Sequence, residues 1–482
     1  MCQVSNTKPF GAHKIAHELR NNGFDVLVIN YLDHFSLAEL KQLLSLVVSD
    51  QTLFVGISNT FVGYAKVTNI LHDLRQPTYI FLPGGPDDEQ EFTNYIKQIN
   101  SNCKIVVGGA RTQINWGNKC VDYAVIGYAD ISVVNLAKHL KYGTPIANKN
   151  YKNIYGVHII DDPVAEGFDF NNSTMTWCND DIVMPQEILP MEISRGCIFS
   201  CKFCSYRLNG KQTLDYLKDL GNIRQELLYN YNNYGITRYR LLDDTFNDTE
   251  EKIDIMLDIV NQLPFKPAFS GYARLDLLAA KPHTIKKLVD IGFRGMFFGI
   301  ETLNKKTGSI IGKGADPNKL IQTIIDMKQQ YGDYISLHGS FICGLPGESK
   351  ESIMTTMNKL LRKEIPLDTV TFYPLWIGKK SVLTWNSAFN LDLTKFGYRE
   401  IDNDFSKTIP VVNWQSDIMS YQEAIKMTKV FEQEFQQIGN FQNTTFQLLN
   451  KNQDSILDYK KELFNRLLTD QTNIKVSTST TC

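Results

Sequence analysis

Three cysteines within eight residues constrain this chain more than any other stretch. Cys197, Cys201 and Cys204 are spaced C-x3-C-x2-C, and Phe203 directly precedes the third cysteine. A cubic four-iron cluster held by four thiolates has no open iron, whereas three thiolates leave one iron free to bind a small molecule. A structural zinc site or three buried thiols are the alternatives. Zinc usually takes four ligands, often from two separated pairs, and no second pair is present in the sequence.

The spacing resembles CxxxCxΦC, the cysteine pattern of the radical S-adenosylmethionine (SAM) superfamily. In that family the open iron chelates the amino and carboxylate groups of SAM, and one electron from the cluster cleaves SAM to a 5′-deoxyadenosyl radical. The resemblance implies a [4Fe–4S] cluster on Cys197, Cys201 and Cys204, with Phe203 beside it and SAM as a second cofactor. It also implies an electron donor such as flavodoxin or ferredoxin.

Length and composition limit the other possibilities. The 482 residues are too many for one ordinary domain, so two or three are expected. A net charge of −2 gives no global basic surface and no indication of nucleic-acid binding. No apolar run reaches the length of a membrane span, and the polar N-terminus does not resemble a signal peptide. Nine cysteines, three of them clustered, favour a reducing compartment, and we expect a cytoplasmic protein.

The first 145 residues alternate short β-branched runs with helical patterns. The runs lie at 25–31, 52–58, 78–82, 104–107 and 123–126, and the helical patterns include 12–22, 37–48 and 88–99. Strands that are apolar throughout are buried on both faces, which is typical of a parallel sheet covered by helices. The pattern predicts a doubly wound α/β domain that binds ligands at the carboxyl ends of its strands.

This order of elements resembles the cobalamin (B12)-binding domain that precedes many radical SAM cores. That domain carries D-x-H-x-x-G before its first helix, with the histidine as lower cobalt ligand, whereas here Asn6 and Lys8 replace Asp and His. The glycine is present, and later turns match the segments that line the cofactor's tail. We expect Lys8 to meet a phosphate or amide of that tail, or water, from a loop without deep burial. The cobalamin-contacting residues implied by the resemblance are Asn6, Lys8, Gly11, Ser58, Gly108 and Gly109. A degenerate domain that binds no cobalamin is the alternative.

Repeated βα units then begin, with strand patterns at 191–194, 239–243, 268–273, 295–299, 335–342 and 369–373. Such units predict a parallel barrel or partial barrel with its chemistry at the strand carboxyl ends. The resemblance implies a six-unit partial (β/α)6 TIM-like barrel over residues 187–376. Residues 146–186 are expected to form a linker, and 377–482 a mostly helical C-terminal cap with a disordered tail.

Further residues at these strand ends match the family's SAM-binding segments. The resemblance places Asp243 and Asp244 at SAM's amino group, although one of them could instead cap the next helix. Arg274 could fork onto SAM's carboxylate or form a structural ion pair. The resemblance also brings Glu301 to SAM and Gly344, in a Gly-Leu-Pro-Gly-Glu turn, to the adenine. Cys343 is expected to be a core thiol, because a fourth cluster ligand would block SAM.

The sequence therefore predicts a cobalamin-dependent radical SAM methyltransferase that acts on an unactivated carbon of an unidentified substrate. One alternative is a radical SAM oxidoreductase or cyclase with a degenerate first domain. The other is an iron–sulfur protein with a redox or structural role and no catalysis.

Overall fold

The computed structural model describes residues 7–58, 86–109, 121–147, 150–154, 156–162, 165, 167–205, 210, 217–378, 387–402, 411–438 and 455–479. Asn6, the predicted strand at 78–82 and residues 480–482 of the predicted disordered tail lie outside this set. Within it, no helix combines the length and apolar character needed to cross a bilayer.

A five-stranded sheet organises the first part of the chain. Its elements are α1 (Phe10–Asn21), α2 (Leu37–Val47), β1 (Phe54–Ser58), α3 (Pro86–Ile99), β2 (Lys104–Gly108), β3 (Tyr123–Gly127), α4 (Ser132–Tyr142), β4 (Lys152–Ile154) and β5 (Val157–Asp162). The strand order is β1-β2-β3-β5-β4, with β4 antiparallel at the edge and the other pairs parallel. Alternate residues face two apolar layers, since Val107 packs with α2 and α3 whereas Val106 packs with α1 and α4. The predicted doubly wound α/β domain is confirmed.

Two local predictions for this part are wrong. Residues 25–31 form no strand, and two of their backbone groups bond to side chains instead: Arg20 donates to the Val26 carbonyl at 2.7 Å, and the Asn30 amide donates to the Tyr459 hydroxyl at 2.9 Å. The predicted linker at 146–186 contributes β4 and β5 to the sheet. Both strands are short and are surrounded by turn-forming residues, so the sequence shows no clear strand pattern there.

A second sheet follows, with six parallel strands in sequential order. Its elements are β6 (Ile188–Met191), α5 (Leu220–Tyr234), β7 (Arg238–Leu241), α6 (Glu250–Asn261), β8 (Ala268–Ala273), α7 (Leu275–Ala280), α8 (His283–Ile291), β9 (Phe293–Glu301), α9 (Lys305–Ile311), α10 (Pro317–Tyr331), β10 (Ser336–Cys343), α11 (Lys350–Leu361) and β11 (Thr369–Pro374). The predicted partial (β/α)6 barrel is confirmed. Because all strands are parallel, their carboxyl ends share one edge, and the cysteine loop directly follows β6.

The C-terminal region contacts both sheets. Its elements are α12 (Ala388–Leu391), β12 (Arg399–Glu400), β13 (Trp414–Gln415), α13 (Tyr421–Gln437) and α14 (Ser455–Ser479). Phe431 and Phe435 of α13 pack on Phe372 of β11. The last helix, α14, instead packs on the first domain, where Tyr459 and Leu463 join the layer of α2 and α3. The helical C-terminal region is confirmed; among the described side chains, those of α13 pack on the barrel and those of α14 pack on the first domain.

Candidate active site

The three cysteines lie on a loop at the carboxyl edge of the barrel, and all three are partly exposed. The loop is held by its own backbone: the Gly210 amide donates to the Cys197 carbonyl at 2.7 Å, and the Cys204 amide donates to the Cys201 carbonyl at 3.1 Å. Gly196, with φ +81°, turns the chain from β6 into this loop. Three accessible thiols on one short loop suit a cluster whose irons each take one thiolate.

Arg274 places a positive charge against this loop. Its Nη1 lies 3.4 Å from the Cys201 sulfur, and its guanidinium lies 3.9 Å from the centre of the Phe199 ring. The Nε and Nη2 atoms donate to Asp276. Arg274 is therefore part of a structural ion pair, one of the two predicted roles, while its remaining edge faces a cysteine. A cation beside a cysteine favours the thiolate that an iron requires.

The two adjacent acids after β7 have different environments. The Asp243 carboxylate is 1% exposed, accepts from Ser194, and lies 3.0 Å from Nζ of the fully buried Lys252. Burial opposes a charged lysine, yet Asp243 and Asp248 together raise the pKa of Lys252. Asp243 thus holds β6, β7 and α6 together, and a SAM contact from it stays a prediction. Thr249, rather than either acid, caps α6.

Asp244 is only partly buried, and no side chain of the described residues donates to its carboxylate. Burial, together with Asp243 and Glu192, raises its pKa to about 6. The adjacent Thr245 hydroxyl lies 3.5 Å from the Cys197 sulfur, so Asp244 directly precedes a residue that contacts the cysteine loop. Of the two acids, Asp244 has the less buried carboxylate and is the better placed to accept from an amino group.

Glu301, the last residue of β9, has a left-handed backbone with φ +68°. This conformation is costly for a residue with a side chain and often occurs at functional sites. Its Oε1 lies 3.3 Å from Nζ of Lys313, which also donates to the Gly299 carbonyl. A Cβ at position 299 would lie 2.5 Å from Oε1 of Glu301, so the glycine makes room for this pair. Burial raises the pKa of Glu301, and Lys313 opposes that shift.

Lys313 was not identified from the sequence, although glycines flank it in the turn after α9. Gly312 lies against the Cys201 backbone, and the Ile311 carbonyl accepts from the Lys202 amide at 3.1 Å. The Lys313 ammonium lies 6.0 Å from the centre of the Phe203 ring. The turn therefore brings a second cation to the cysteine loop, next to Glu301.

The turn after β10 is covered by the C-terminal region. The Gly344 carbonyl accepts from the Tyr398 hydroxyl at 2.7 Å. Gly344 has φ +95°, and a Cβ there would overlap the Trp414 ring. Protein packing thus accounts for the glycine, and its contact with an adenine stays a prediction. The neighbouring Cys343 is fully buried in the barrel core, as expected for a thiol that binds no iron. Among the described residues, no three His, Cys, Asp or Glu side chains are grouped for a single metal ion.

A cavity of about 1480 Å³ lies at the carboxyl edge of the first sheet. Four predicted cobalamin-contacting residues are part of its lining: Gly11, Ser58, Gly108 and Gly109. A Cβ at Gly108 would lie 3.2 Å from the Val125 carbonyl oxygen of β3, so a larger residue there would require a small shift of the neighbouring strand. Its lining also includes Glu192 and Arg195, which precede the cysteine loop. A large cofactor tail would fit the shape and polarity of this space.

The prediction for Lys8 is wrong. Lys8 is 2% exposed, and its ammonium lies 2.7 Å from both carboxylate oxygens of Glu187. The ring of Tyr459 lies 5.4 Å away. The Lys8 ammonium is thus paired with Glu187 in the interior, not placed in an open loop to meet a cofactor tail or water as expected.

Comparison with known proteins found one matching family model and several similar sequences. Residues 191–360 match the model of the radical SAM superfamily. An uncharacterized methyltransferase of Pyrococcus horikoshii is 28% identical over 327 residues, which cover 60% of this chain and 66% of that relative. A bacteriochlorophyllide d C-8(2)-methyltransferase of Chlorobaculum tepidum is 26% identical over 137 residues, or 29% of its length. The matches therefore span just under two thirds of the first relative and less than a third of the second.

Solved structures resemble the whole architecture. The radical SAM methyltransferase TsrM from Kitasatospora setae, with cobalamin and a [4Fe–4S] cluster bound, has a TM-score of 0.62 and 11% identity over 97% of each chain. The cobalamin-dependent SAM radical enzyme OxsB has a TM-score of 0.52 and 16% identity over 90% of this chain and 60% of its own. At these identities the likeness establishes the fold: an α/β domain, a partial barrel and a helical C-terminal region.

Proposed function

We propose, from the premise that this chain is a radical SAM enzyme with its radical SAM domain at residues 191–360, that it transfers a methyl group to a carbon of its substrate and uses cobalamin to do so. One observation carries the proposal. The cysteine loop and the cavity of the first sheet adjoin each other, because Glu192 and Arg195 line the cavity while leading into Cys197. Two ligand-binding edges thus meet at one place, where a substrate could reach both.

When bound, the cluster, SAM and cobalamin would supply one-electron chemistry and a transferable methyl group. The chain's own residues hold these groups and exclude water. Cys197, Cys201 and Cys204 would hold the cluster, and Arg274 would donate to the Cys201 sulfur. Asp244 would accept from SAM's amino group. The Glu301–Lys313 pair would offer both a hydrogen-bond acceptor and a cation beside Phe203. Arg274 and Glu301 are buried, which strengthens their polar contacts.

Cofactor content tests the proposal. Anaerobically purified wild-type protein should contain about four irons and four sulfides per chain, together with corrin. Cys201→Ala should lose the cluster, because only two thiolates would remain on the loop. The matched control is Cys343→Ala, which removes a thiol buried in the core and should keep the cluster.

The cluster and corrin contents of these proteins distinguish the possible functions. A Cys343→Ala protein without its cluster, beside a Cys201→Ala protein that retains one, would contradict the assigned ligands. Cluster without corrin would reject the cobalamin part and leave a radical SAM enzyme with a first domain of another role. The substrate-independent cleavage of SAM to 5′-deoxyadenosine separates an enzyme from a structural iron–sulfur protein.

A further inference from the structure

Arg195 joins the cysteine loop to the first domain. It precedes Cys197 by two residues. Its Nη1 and Nη2 atoms donate to the two carboxylate oxygens of Asp130 at 2.8 and 2.9 Å. Its Nε and Nη2 atoms donate to Glu192 at 2.7 and 3.1 Å. Asp130 lies in the loop between β3 and α4, so the first of these paired contacts crosses from one sheet to the other.

Aromatic rings enclose the same guanidinium. The centres of the Tyr128, Phe170 and Phe168 rings lie 4.9, 4.8 and 5.3 Å from it. The Arg195 and Asp130 side chains are 9% and 4% exposed. A planar group held by two forked carboxylates and three rings has little freedom to move. Its place fixes the backbone at residue 195.

The preceding residue is fixed from the other side. Ser194 donates to Asp243 and accepts from Lys252 Nζ at 2.8 Å, and both partners belong to the barrel. Consecutive residues, Ser194 and Arg195, thus anchor the start of the cysteine loop to the barrel and to the first domain. Cys197 follows after the turn at Gly196.

The ion pair between Arg195 and Asp130 also borders the cavity of the first sheet. Tyr128, Asp130, Glu192 and Arg195 all line the 1480 Å³ cavity at the carboxyl edge of the first sheet. A molecule that fills this cavity would contact the ion pair directly. The Arg195–Asp130 ion pair therefore lies between the cavity and the cysteine loop.

We propose that Arg195 is a positioning residue: its ion pair with Asp130 sets the place of the cysteine loop and thereby the affinity of the cluster site for SAM. Neither Arg195 nor Asp130 needs to touch SAM for this effect. The inference rests on the proposed function in taking a cluster and SAM as the occupants of that site. It follows that a ligand in the cavity and SAM at the cluster change each other's affinity by one common factor.

Asp130→Asn tests the inference with a side chain of the same shape and no charge. The variant should keep its iron and sulfide, while the backbone amides of residues 196–205 exchange hydrogen faster than in the wild type. Its dissociation constant for SAM, measured by equilibrium dialysis of anaerobic protein, should rise about ten- to a hundred-fold. Arg195→Lys keeps the charge but loses the paired hydrogen bonds to Asp130 and Glu192, and it should also raise the dissociation constant for SAM. It also serves as the second variant if Asp130→Asn does not fold.

Glu187→Gln is the matched control. Its pair with Lys8 is equally buried, with side chains 5% and 1% exposed, but it lies at the amino end of β6. This variant should change neither the exchange at 196–205 nor the SAM affinity by more than about twofold. Equal changes in Glu187→Gln and Asp130→Asn, or wild-type values in Asp130→Asn and Arg195→Lys, would overturn the inference.

Hydroxocobalamin distinguishes failure of the inference from failure of the proposed function. In the wild type, saturating hydroxocobalamin should change the SAM dissociation constant, and Asp130→Asn should reduce that change. A wild type that binds SAM but no cobalamin rejects the cobalamin part of the function, whereas the exchange and SAM comparisons still decide the role of Arg195. A wild type without a cluster rejects the function itself, and the exchange comparison then decides alone.

Discussion

Asp243 and Glu348 are buried carboxyl groups near the carboxyl ends of β7 and β10, and they differ in what surrounds them. Asp243 has Lys252 at 3.0 Å. Glu348, 3% exposed, accepts from the hydroxyls of Thr302 at 2.8 Å and Ser352 at 3.2 Å, with no cation paired to it among the described residues. Burial raises the pKa of Glu348 to about 7. Asp243 is thus paired with a buried cation, whereas Glu348 accepts only from hydroxyls and has a pKa raised toward neutrality.

Glu348→Gln should stabilise the protein in alkaline buffer. A carboxyl whose pKa rises from about 4.5 to about 7 on folding gives its full stability at low pH, which is lost as the pH rises toward 7. The gain in unfolding free energy of the variant should be roughly 2–3 kcal/mol larger at pH 8 than at pH 5. Denaturant unfolding at the two pH values measures it.

Glu351→Gln provides the control, because Glu351 is exposed on the first turn of α11, close to Glu348 in sequence. Because Glu351 is an exposed side chain, its replacement should change the free energy of unfolding by no more than about 0.5 kcal/mol. If the gain of Glu348→Gln were the same at both pH values, Glu348 would be charged in the native protein, and an unseen cation would have to lie beside it.

The turn between β10 and α11 is the element on which the C-terminal region closes. Two of its glycines have positive φ, +95° at Gly344 and +74° at Gly347. Only at Gly344 would a Cβ overlap another residue, the ring of Trp414, whereas the atom nearest to a Cβ at Gly347 is 3.8 Å away. Both glycines therefore have a left-handed backbone, but only Gly344 is also restricted by the packing of a neighbouring side chain.

Alanine at each glycine separates these two requirements. Gly347→Ala should cost about 1–2 kcal/mol, the price of a left-handed backbone for a residue with a Cβ. Gly344→Ala should cost about 1–3 kcal/mol more, because Trp414 must move. Chemical denaturation followed by tryptophan fluorescence would report both losses. Equal losses would mean that Trp414 does not rest on this turn.

At the scale of the whole molecule, α14 returns to the first domain. Tyr459 is 1% exposed. Its hydroxyl accepts from the Asn30 amide at 2.9 Å and donates to the Val28 carbonyl at 3.3 Å. Leu463 packs in the same layer as α2 and α3. The segment at 25–31 therefore depends on a helix from the far end of the sequence.

Tyr459→Phe should destabilise the first domain selectively. The change keeps the ring but leaves the Asn30 amide and Val28 carbonyl without this partner, a loss of about 1–3 kcal/mol. Hydrogen exchange should accelerate at residues 26–31 and stay unchanged in β8 and β9. Tyr142→Phe, at a side chain 64% exposed in the same domain, should have no effect. Uniform acceleration in both sheets would show that the two domains unfold as one unit.

Features that depend on a short stretch of sequence could be predicted, whereas contacts between distant residues could not. β8 begins and ends where the sequence pattern predicts, at residues 268 and 273, and the cysteine loop could be recognised from spacing alone. The ion pairs around the site could not, because their partners are remote in sequence: 179 residues separate Lys8 from Glu187, and 65 separate Arg195 from Asp130. Nor does sequence tell which of two adjacent acids, Asp243 or Asp244, faces a buried lysine.

The contact between Tyr459 and Asn30 also sets an order of events during synthesis. The two residues are 429 positions apart, so at about 5–20 residues per second the ribosome takes roughly 20–90 s to bring them into the same chain. The barrel strands, by contrast, are contiguous from β6 to β11 and can assemble while translation continues. The first domain is consequently completed only after α14 has been synthesised, and until then the Asn30 amide lacks its bond to the Tyr459 hydroxyl.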